Sequence, residues 1–391
     1  MKGTLSRKRT IGLLSVRGYG SGTKMDVLAF ILSFVIILTG CELFTNGVEW
    51  AGKRFKLSEG AVGSVLAAVG TALPETVIPI IAIFFLSEES AGGEIGIGSI
   101  LGAPFMLTTL ALFVCGVAIL VFRKKRGVNV LRVDGKLIRR DLKYFIGAYL
   151  VAVAAALLPA DLHLVKMALA VALVLLYIYY VWHTMKCGDT CADDEVEGLY
   201  SDRLSKKLCT VRNGNQIECL DDPISRKIDS IIRRVEPPTY LIIAQIVAAL
   251  IIIILGANVF VGEIESLADI IGISPLVLSL IIVPIATELP EKFNSFLWIR
   301  ERKDTFAIGN ITGAMVFQSC IPVTIGVIFT DWTIDWSQSE QMLQGISMVV
   351  ALVSASILYI ESSHREVKMS GLFLGGLLYA AFIALVLLIG G

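Results

Sequence analysis

Apolar runs of membrane-spanning length follow one another along most of this 391-residue chain, and they limit what it can become. A helix needs roughly 20 apolar residues to cross a bilayer. Hydrophobic residues make up 55% of the chain and charged ones only 17%, with a mean hydropathy of +0.76. A soluble protein of this size carries about 45–50% apolar and about 25% charged residues. The composition argues against a cytoplasmic enzyme and against a nucleic-acid binder. With 34 basic and 34 acidic residues the net charge is zero, so no excess charge asks for an anionic partner.

Hydropathy places ten spans, near 26–48, 61–86, 96–122, 144–159, 163–185, 239–262, 273–299, 305–330, 342–360 and 369–390. The expected fold is an all-α polytopic membrane protein of about ten transmembrane helices. A basic tail (1–25) precedes the first five spans (26–185), a polar loop (186–237) follows them, and five more spans fill 238–391. The connections after the odd-numbered spans hold 26 of the 34 Lys and Arg residues, whereas those after the even-numbered spans hold only Lys166. The central loop is therefore expected in the cytoplasm, and both termini outside, in a multi-pass cell-membrane protein. The first 24 residues dissent with Lys2, Arg7, Lys8, Arg9, Arg17 and Lys24. Either that tail is cytoplasmic and the first span is unusual, or translation begins at Met25, the preferred alternative. The first run does not read as a cleaved signal peptide, since Glu42–Gly47 takes the place of a small-residue cleavage site.

The two halves repeat one another. Gly40-Cys41-Glu42-Leu43-Phe44 aligns with Gly256-Ala257-Asn258-Val259-Phe260, and Thr71-Ala72-Leu73-Pro74-Glu75 with Thr287-Glu288-Leu289-Pro290-Glu291, at one offset of 216 residues. A second block pairs Gly98-Ser99-Ile100-Leu101-Gly102-Ala103 with Gly309-Asn310-Ile311-Thr312-Gly313-Ala314 at an offset of 211. An odd number of spans per half inverts the second copy in the membrane. Inverted five-helix repeats of this kind mark secondary transporters whose site lies at the midplane, where the halves meet.

Thr-x-Leu-Pro-Glu occurs once per half inside an apolar span. Proline removes a backbone hydrogen bond and turns the carbonyl four residues earlier out of the helix ladder. Those carbonyls are at Gly70 and Ala286, next to Thr71 and Thr287. A freed carbonyl beside a carboxylate is a hard-oxygen site of the kind Ca²⁺ prefers, and symmetry would bring Glu75 and Glu291 together around one divalent cation. The bland alternative has these Glu residues capping broken helices or packed in protonated form. Intramembrane carboxylates are costly and functional by default, and two at symmetric positions beside proline favour the cation site.

These blocks resemble the two alpha-repeats of the cation/Ca²⁺ exchanger superfamily, whose sodium/calcium exchangers carry Gly-Thr-Ser-Leu-Pro-Glu in spans 2 and 7 and Gly-Asn-x-x-Gly-Ser in spans 3 and 8. The likeness covers the chain from Met25 onward. It implies that Glu75 and Glu291 are the Ca²⁺ carboxylates, that Thr71 and Thr287 add carbonyl oxygens, and that spans 1 and 6 slide past an eight-helix core. The chain departs from the pattern where the serine after Thr becomes Ala72 and Glu288, and where the serine of the second block becomes Ala103 and Ala314. The Asn near the end of span 3 falls at Leu107, and the acidic or Asn residue of span 8 at Gln318. These lost groups are the ones the family uses for Na⁺, so Na⁺ coupling of the usual stoichiometry is in doubt.

Glu288 lies three positions before Glu291 on the same helical face. With Glu75 the site would hold three carboxylates, more charge than one Ca²⁺ neutralises, and like charges raise one another's pKa. Glu288 is thus a candidate proton carrier as well as a ligand. Gln318 is a neutral oxygen donor if it faces inward, as span-8 symmetry favours. Lys292 is either a counter-cation for Glu288 or paired with another helix. Glu42 and Asn258 either line an access route or are hydrogen-bonded interior groups. Asn310 matches the family's Asn, which Ser99 replaces in the first half.

Cys41, Cys115 and Cys320 read as small apolar fillers. Cys187, Cys191, Cys209 and Cys219 in the loop are free thiols, disulfides or zinc ligands, in spacings that do not form a zinc knuckle. The acidic loop cluster from Asp189 to Glu197 reads as solvated or as a regulatory Ca²⁺ site. The basic run Arg123–Arg126 needs only topology and anionic membrane lipid.

The leading expectation is a secondary antiporter that exchanges Ca²⁺ for Na⁺. The alternative is an H⁺-coupled exchanger of Ca²⁺, Mn²⁺ or Mg²⁺. An intramembrane enzyme lacks its catalytic residues: His163, His183 and His364 sit at span ends or in a loop, and no H-E-x-x-H occurs. A channel would want acidic rings or an oxygen-lined filter. No resident cofactor, nucleic acid or obligate protein partner is expected.

Overall fold

The computed structural model of the chain describes residues 27–54, 73–85, 92–127, 130–159, 161–187, 237–300, 302–362 and 366–389. Ten helices run through them: α1 (Val27–Arg54), α2 (Leu73–Phe85), α3 (Gly92–Arg126), α4 (Gly135–Leu157), α5 (His163–Cys187), α6 (Thr239–Ile271), α7 (Pro275–Arg300), α8 (Asp304–Phe329), α9 (Ser339–Glu361) and α10 (Met369–Ile389). The basic tail, most of the central loop and the start of the second span lie outside the described residues.

The helices match the ten expected spans, and the protein is a helical, multi-pass membrane protein. Seven of them are long and apolar enough to cross a bilayer by sequence alone. Of the other three, α2 is described only over Leu73–Phe85, and two have physical reasons to fall short: α4 opens on the charged stretch Lys136–Lys143, and α7 carries Glu288, Glu291 and Lys292 in its middle.

Several helices overrun their expected bounds. α4 starts at Gly135 because Asp134 caps it, its carboxylate accepting from Lys136 N at 2.9 Å. α6 continues to Ile271. α3 is a single long helix despite Pro104, and a π-helical turn over Leu107–Ala111 absorbs the mismatch. It stops at Gly127, whose left-handed backbone (φ 71°) lets its N–H close on Arg123 O.

One element departs from the all-helical expectation. Strands β1 (Val130–Arg132) and β2 (Glu366–Lys368) pair antiparallel, Leu131 opposite Val367. They join the connection after α3 to the connection after α9. Beside them, Arg126 forms a buried ion pair with Asp304, Nη1 to Oδ1 and Nη2 to Oδ2 both at 2.7 Å. Arg126 also donates to Ile299 O, and Arg132 N donates to Asp304 Oδ2 at 2.8 Å. At the opposite end Lys166 Nζ reaches Asp331 O and Trp332 O, and Trp332 Nε1 donates to Ala152 O at 3.2 Å. Both ends of the bundle therefore tie the first half to the second.

Among the described residues two large apolar cores result, with a small third cluster around Trp50 and Ile242. The larger draws on α3, α4, α5 and α7 to α10. The smaller gathers Ile37 of α1, Ile78 and Ile81 of α2 and Ile253, Phe260 and Ile264 of α6. α1 and α6 pack chiefly on each other. Gly40 and Gly256 allow their close approach, and Gln245 of α6 bonds to Leu43 O and Asn46 Oδ1 of α1. Large apolar side chains such as Leu32, Leu164, Val171, Ile251 and Leu388 face outward, as a bilayer requires.

Candidate functional site

α7 reads as helix through Pro290, so the repeated motif of the second half sits mid-helix. Thr287 and Glu288 are buried there, Glu288 with 1% of its surface exposed. Thr287 Oγ1 turns back on its own helix and donates to Val283 O at 3.0 Å. From α8, Gln318 is likewise buried, and its Nε2 donates to Glu288 Oε1 at 2.7 Å. A carboxylate oxygen only accepts, so the amide presents its NH₂ to Glu288 and its own oxygen points elsewhere. Among the described residues no donor reaches Gln318 Oε1.

Glu75 belongs to α2 and is 2% exposed. α2 packs on α3, α6, α7 and α8, so the helix that carries Glu75 adjoins both helices that carry the Glu288–Gln318 pair. The pair forms because α7 and α8 are consecutive and antiparallel, joined by the short turn around Arg302 and Lys303.

α3 approaches α7 through the glycines of its repeated block. A side-chain carbon at Gly98 would strike Ser279 Oγ and Leu276 O, and one at Gly102 would strike Leu280 O and Pro284 Cγ. Among the described residues, a carbon at Gly309 of α8 would meet Leu137 of α4, and one at Gly313 would meet Tyr180 of α5, both at ordinary van der Waals distance.

Of the sequence candidates, Glu288 and Gln318 are in direct contact, and Glu75 and Thr287 are buried on adjoining helices. Thr71 and the side chains of Glu291 and Lys292 lie outside the described residues. Glu42 is exposed on α1, and Asn258 Nδ2 bonds to Ile254 O of its own helix at 2.9 Å. Ser99 Oγ donates to Ile95 O at 2.6 Å. Cys115 and Cys320 are buried and in no disulfide with each other, while Cys191, Cys209, Cys219 and the side chains of Cys41 and Cys187 lie outside the described residues. Among the described residues no group of three His, Cys, Asp or Glu side chains forms a metal cluster.

Sequence reasoning missed the buried Asp141. Its two oxygens collect Arg140, Tyr180 and Thr312, and the only signal was an acidic residue amid the basic stretch before the fourth span.

Ten helices in two halves, with carboxylates buried between them, define a polytopic membrane transporter of the repeat-built class. The family model described as sodium/calcium exchanger protein matches residues 25–186 and 241–390, and the chain belongs to that family of membrane cation/Ca²⁺ exchangers. Its members are antiporters and not enzymes. Among relatives, the sodium/calcium exchanger MaX1 of Methanosarcina acetivorans is 23% identical over 344 residues, 88% of this chain and 93% of that one. In fold, the chain is similar to the crystal structure of the H⁺/Ca²⁺ exchanger CAX (TM-score 0.65, 16% identity), covering 93% of this chain and 82% of that one. It is also similar to the sodium–calcium exchanger NCX_Mj (TM-score 0.54, 19% identity), covering 92% and 97%.

Proposed function

We propose that this chain exchanges Ca²⁺ for Na⁺ across the cell membrane by alternating access at a midplane site built from Glu75, Glu291, Thr71, Thr287, Glu288 and Gln318. The observation that carries the reading is the buried pair Glu288–Gln318 on helices that adjoin the one bearing Glu75. Carboxylate and amide oxygens sheltered from lipid and water are hard donors, and Ca²⁺ takes six to eight of them in flexible geometry. Mn²⁺ and Mg²⁺ accept the same donor class. Gln318 Oε1 is a neutral donor with no competing hydrogen bond among the described residues. Ca²⁺ is cargo here: Glu75 and Glu288 bind it, Gln318 orients Glu288, and exposure of the site to one side at a time couples its flux to the counter-ion. The positive-inside pattern supports a cytoplasmic central loop and an external C-terminus.

H⁺ coupling is the second reading, and the position of Glu288 favours it. A carboxylate stands where the family's motif has a serine, and the Gln318 amide holds it inside the bundle. Glu288 would then carry the proton.

Uptake of ⁴⁵Ca²⁺ into proteoliposomes, driven separately by outward Na⁺ and outward H⁺ gradients, tests both, with Glu75→Gln as the site control. Uptake on a Na⁺ gradient supports Na⁺ exchange, and uptake on an H⁺ gradient alone transfers the counter-ion role to H⁺. No uptake under either gradient sinks the Ca²⁺ reading.

A further inference from the structure

α8 is backed along its length by α5, and the two helices run antiparallel. Thr324 Oγ1 bonds to Ala170 O at 3.3 Å, the Phe317 ring meets the Tyr177 ring edge-on at 5.5 Å, and Tyr180 and Thr312 both bond to Asp141. Seven residues up α5, from 170 to 177, match seven down α8, from 324 to 317, and Tyr180 and Thr312 then meet through Asp141 of α4. Gln318 follows Phe317 by one residue, between the upper two rungs, and bonds to Glu288 of α7.

The lowest rung differs in kind. Asp141, on α4, is 2% exposed. Its Oδ1 accepts from Arg140 Nε (3.1 Å), Arg140 Nη2 (3.0 Å) and Tyr180 OH (3.2 Å), while Oδ2 accepts from Thr312 Oγ1 (3.1 Å). The Arg140 guanidinium also lies 5.8 Å from the Tyr180 ring centroid. The upper rungs tolerate a small slide, because a ring contact can shift and Thr324 keeps its bond to Cys320 O of its own helix. The Asp141 rung does not, since a slip of α8 takes the Thr312 hydroxyl from Oδ2 of a buried carboxylate, where a lost hydrogen bond costs more than in water.

We propose that Asp141 is a positioning residue for the cation site. Through Thr312 it fixes the axial register of α8, and thereby the level at which Gln318 meets Glu288. Six residues separate Thr312 from Gln318, about 9 Å of helix rise, so a pin at one end sets the other. The inference rests on the reading of Gln318 as part of the site.

Hydrogen–deuterium exchange on the purified full-length protein tests the pin without reference to any ion. Asp141→Ala is expected to raise exchange about threefold or more in peptides covering 309–318 and to leave α9 peptides unchanged, by the logic of local opening. Unchanged exchange across 309–318 overturns the inference whatever the protein carries. Transport tests the consequence through a double-mutant cycle. Asp141→Ala is expected to raise the half-saturating Ca²⁺ concentration about tenfold in the wild-type background and less than about twofold in a Gln318→Ala background, the mark of coupled residues. Asp141→Asn, which keeps an acceptor for Thr312, should recover part of the loss. Equal shifts in both backgrounds mean that Asp141 does not act through Gln318. If Asp141→Ala fails to fold, Thr312→Val removes one bond and replaces it in both measurements. Absence of Ca²⁺ uptake by the wild type would count against the cargo, and the exchange result would still decide the pin.

Discussion

Gln318 Nε2 stands 2.7 Å from Glu288 Oε1, a bond that crosses from α8 to α7 with both partners buried. Hydrogen bonds to a charged group contribute about 1.5–3 kcal/mol. Gln318→Leu keeps the volume and removes both the donor and the neutral oxygen. The half-saturating Ca²⁺ concentration in proteoliposome uptake should rise at least about tenfold, the equivalent of about 1.4 kcal/mol. An unchanged value would remove Gln318 from the site.

Glu75→Gln keeps shape and takes away one buried carboxylate. Gradient-driven Ca²⁺ uptake should fall to the level of empty liposomes, while the purified protein stays monodisperse in size-exclusion chromatography. Residual uptake above about one tenth of wild type would mean that the cargo is held without Glu75.

Breaking the Arg126–Asp304 pair leaves a buried charge alone, which costs about 3–5 kcal/mol. Arg126→Met should therefore lower the thermal midpoint sharply. Asp304→Leu added to it should restore much of the loss, because replacing both partners of a buried pair is often close to neutral. Additive losses in a thermal-shift assay would show that the arginine matters chiefly for its bonds to Ile299 O and Val130 O.

Gly102 and Gly93 lie on the same helix in opposite circumstances. A methyl at Gly102 meets the Leu280 carbonyl and the Pro284 ring, whereas one at Gly93 meets none of the described residues within 4 Å. Gly102→Ala should force α3 from α7 and reduce both folded yield and uptake. Gly93→Ala should be neutral or stabilising by up to about 1 kcal/mol, since it removes backbone freedom from a helix. Expression and thermal midpoints of the two variants, compared directly, check this.

Much of the architecture was legible because its signals are long. Twenty-residue apolar runs and two copies of Thr-x-Leu-Pro-Glu survive any uncertainty at the ends. Short or partner-dependent features were not legible. Three-residue strands have no periodicity, so β1 and β2 left no trace. Lys166 reads as a lone outer cation, yet it is buried against the carbonyls of Asp331 and Trp332, and no sequence says which carbonyls are open. Asp141 reads as loop charge because the helix it belongs to begins nine residues ahead of the apolar run. In the site itself, Glu288 and Gln318 were identified as departures from a pattern. Their contact depends on how α7 and α8 rotate against each other, which composition does not encode.

Among the described residues the three strongest helix pairings join one half of the chain to the other: α1 with α6, α3 with α7 and α4 with α8. Synthesis makes those partners at very different times. Thr312 is 171 residues downstream of Asp141, and ribosomes add about 5–20 residues per second. Asp141 is therefore made on the order of ten seconds or more before its Thr312 ligand exists, with Arg140 beside it and Tyr180 only 39 residues behind. The newborn first half has to wait in the membrane as an unfinished mould, and Arg140 and Tyr180 are what can shelter Asp141 until the second half is cast against it.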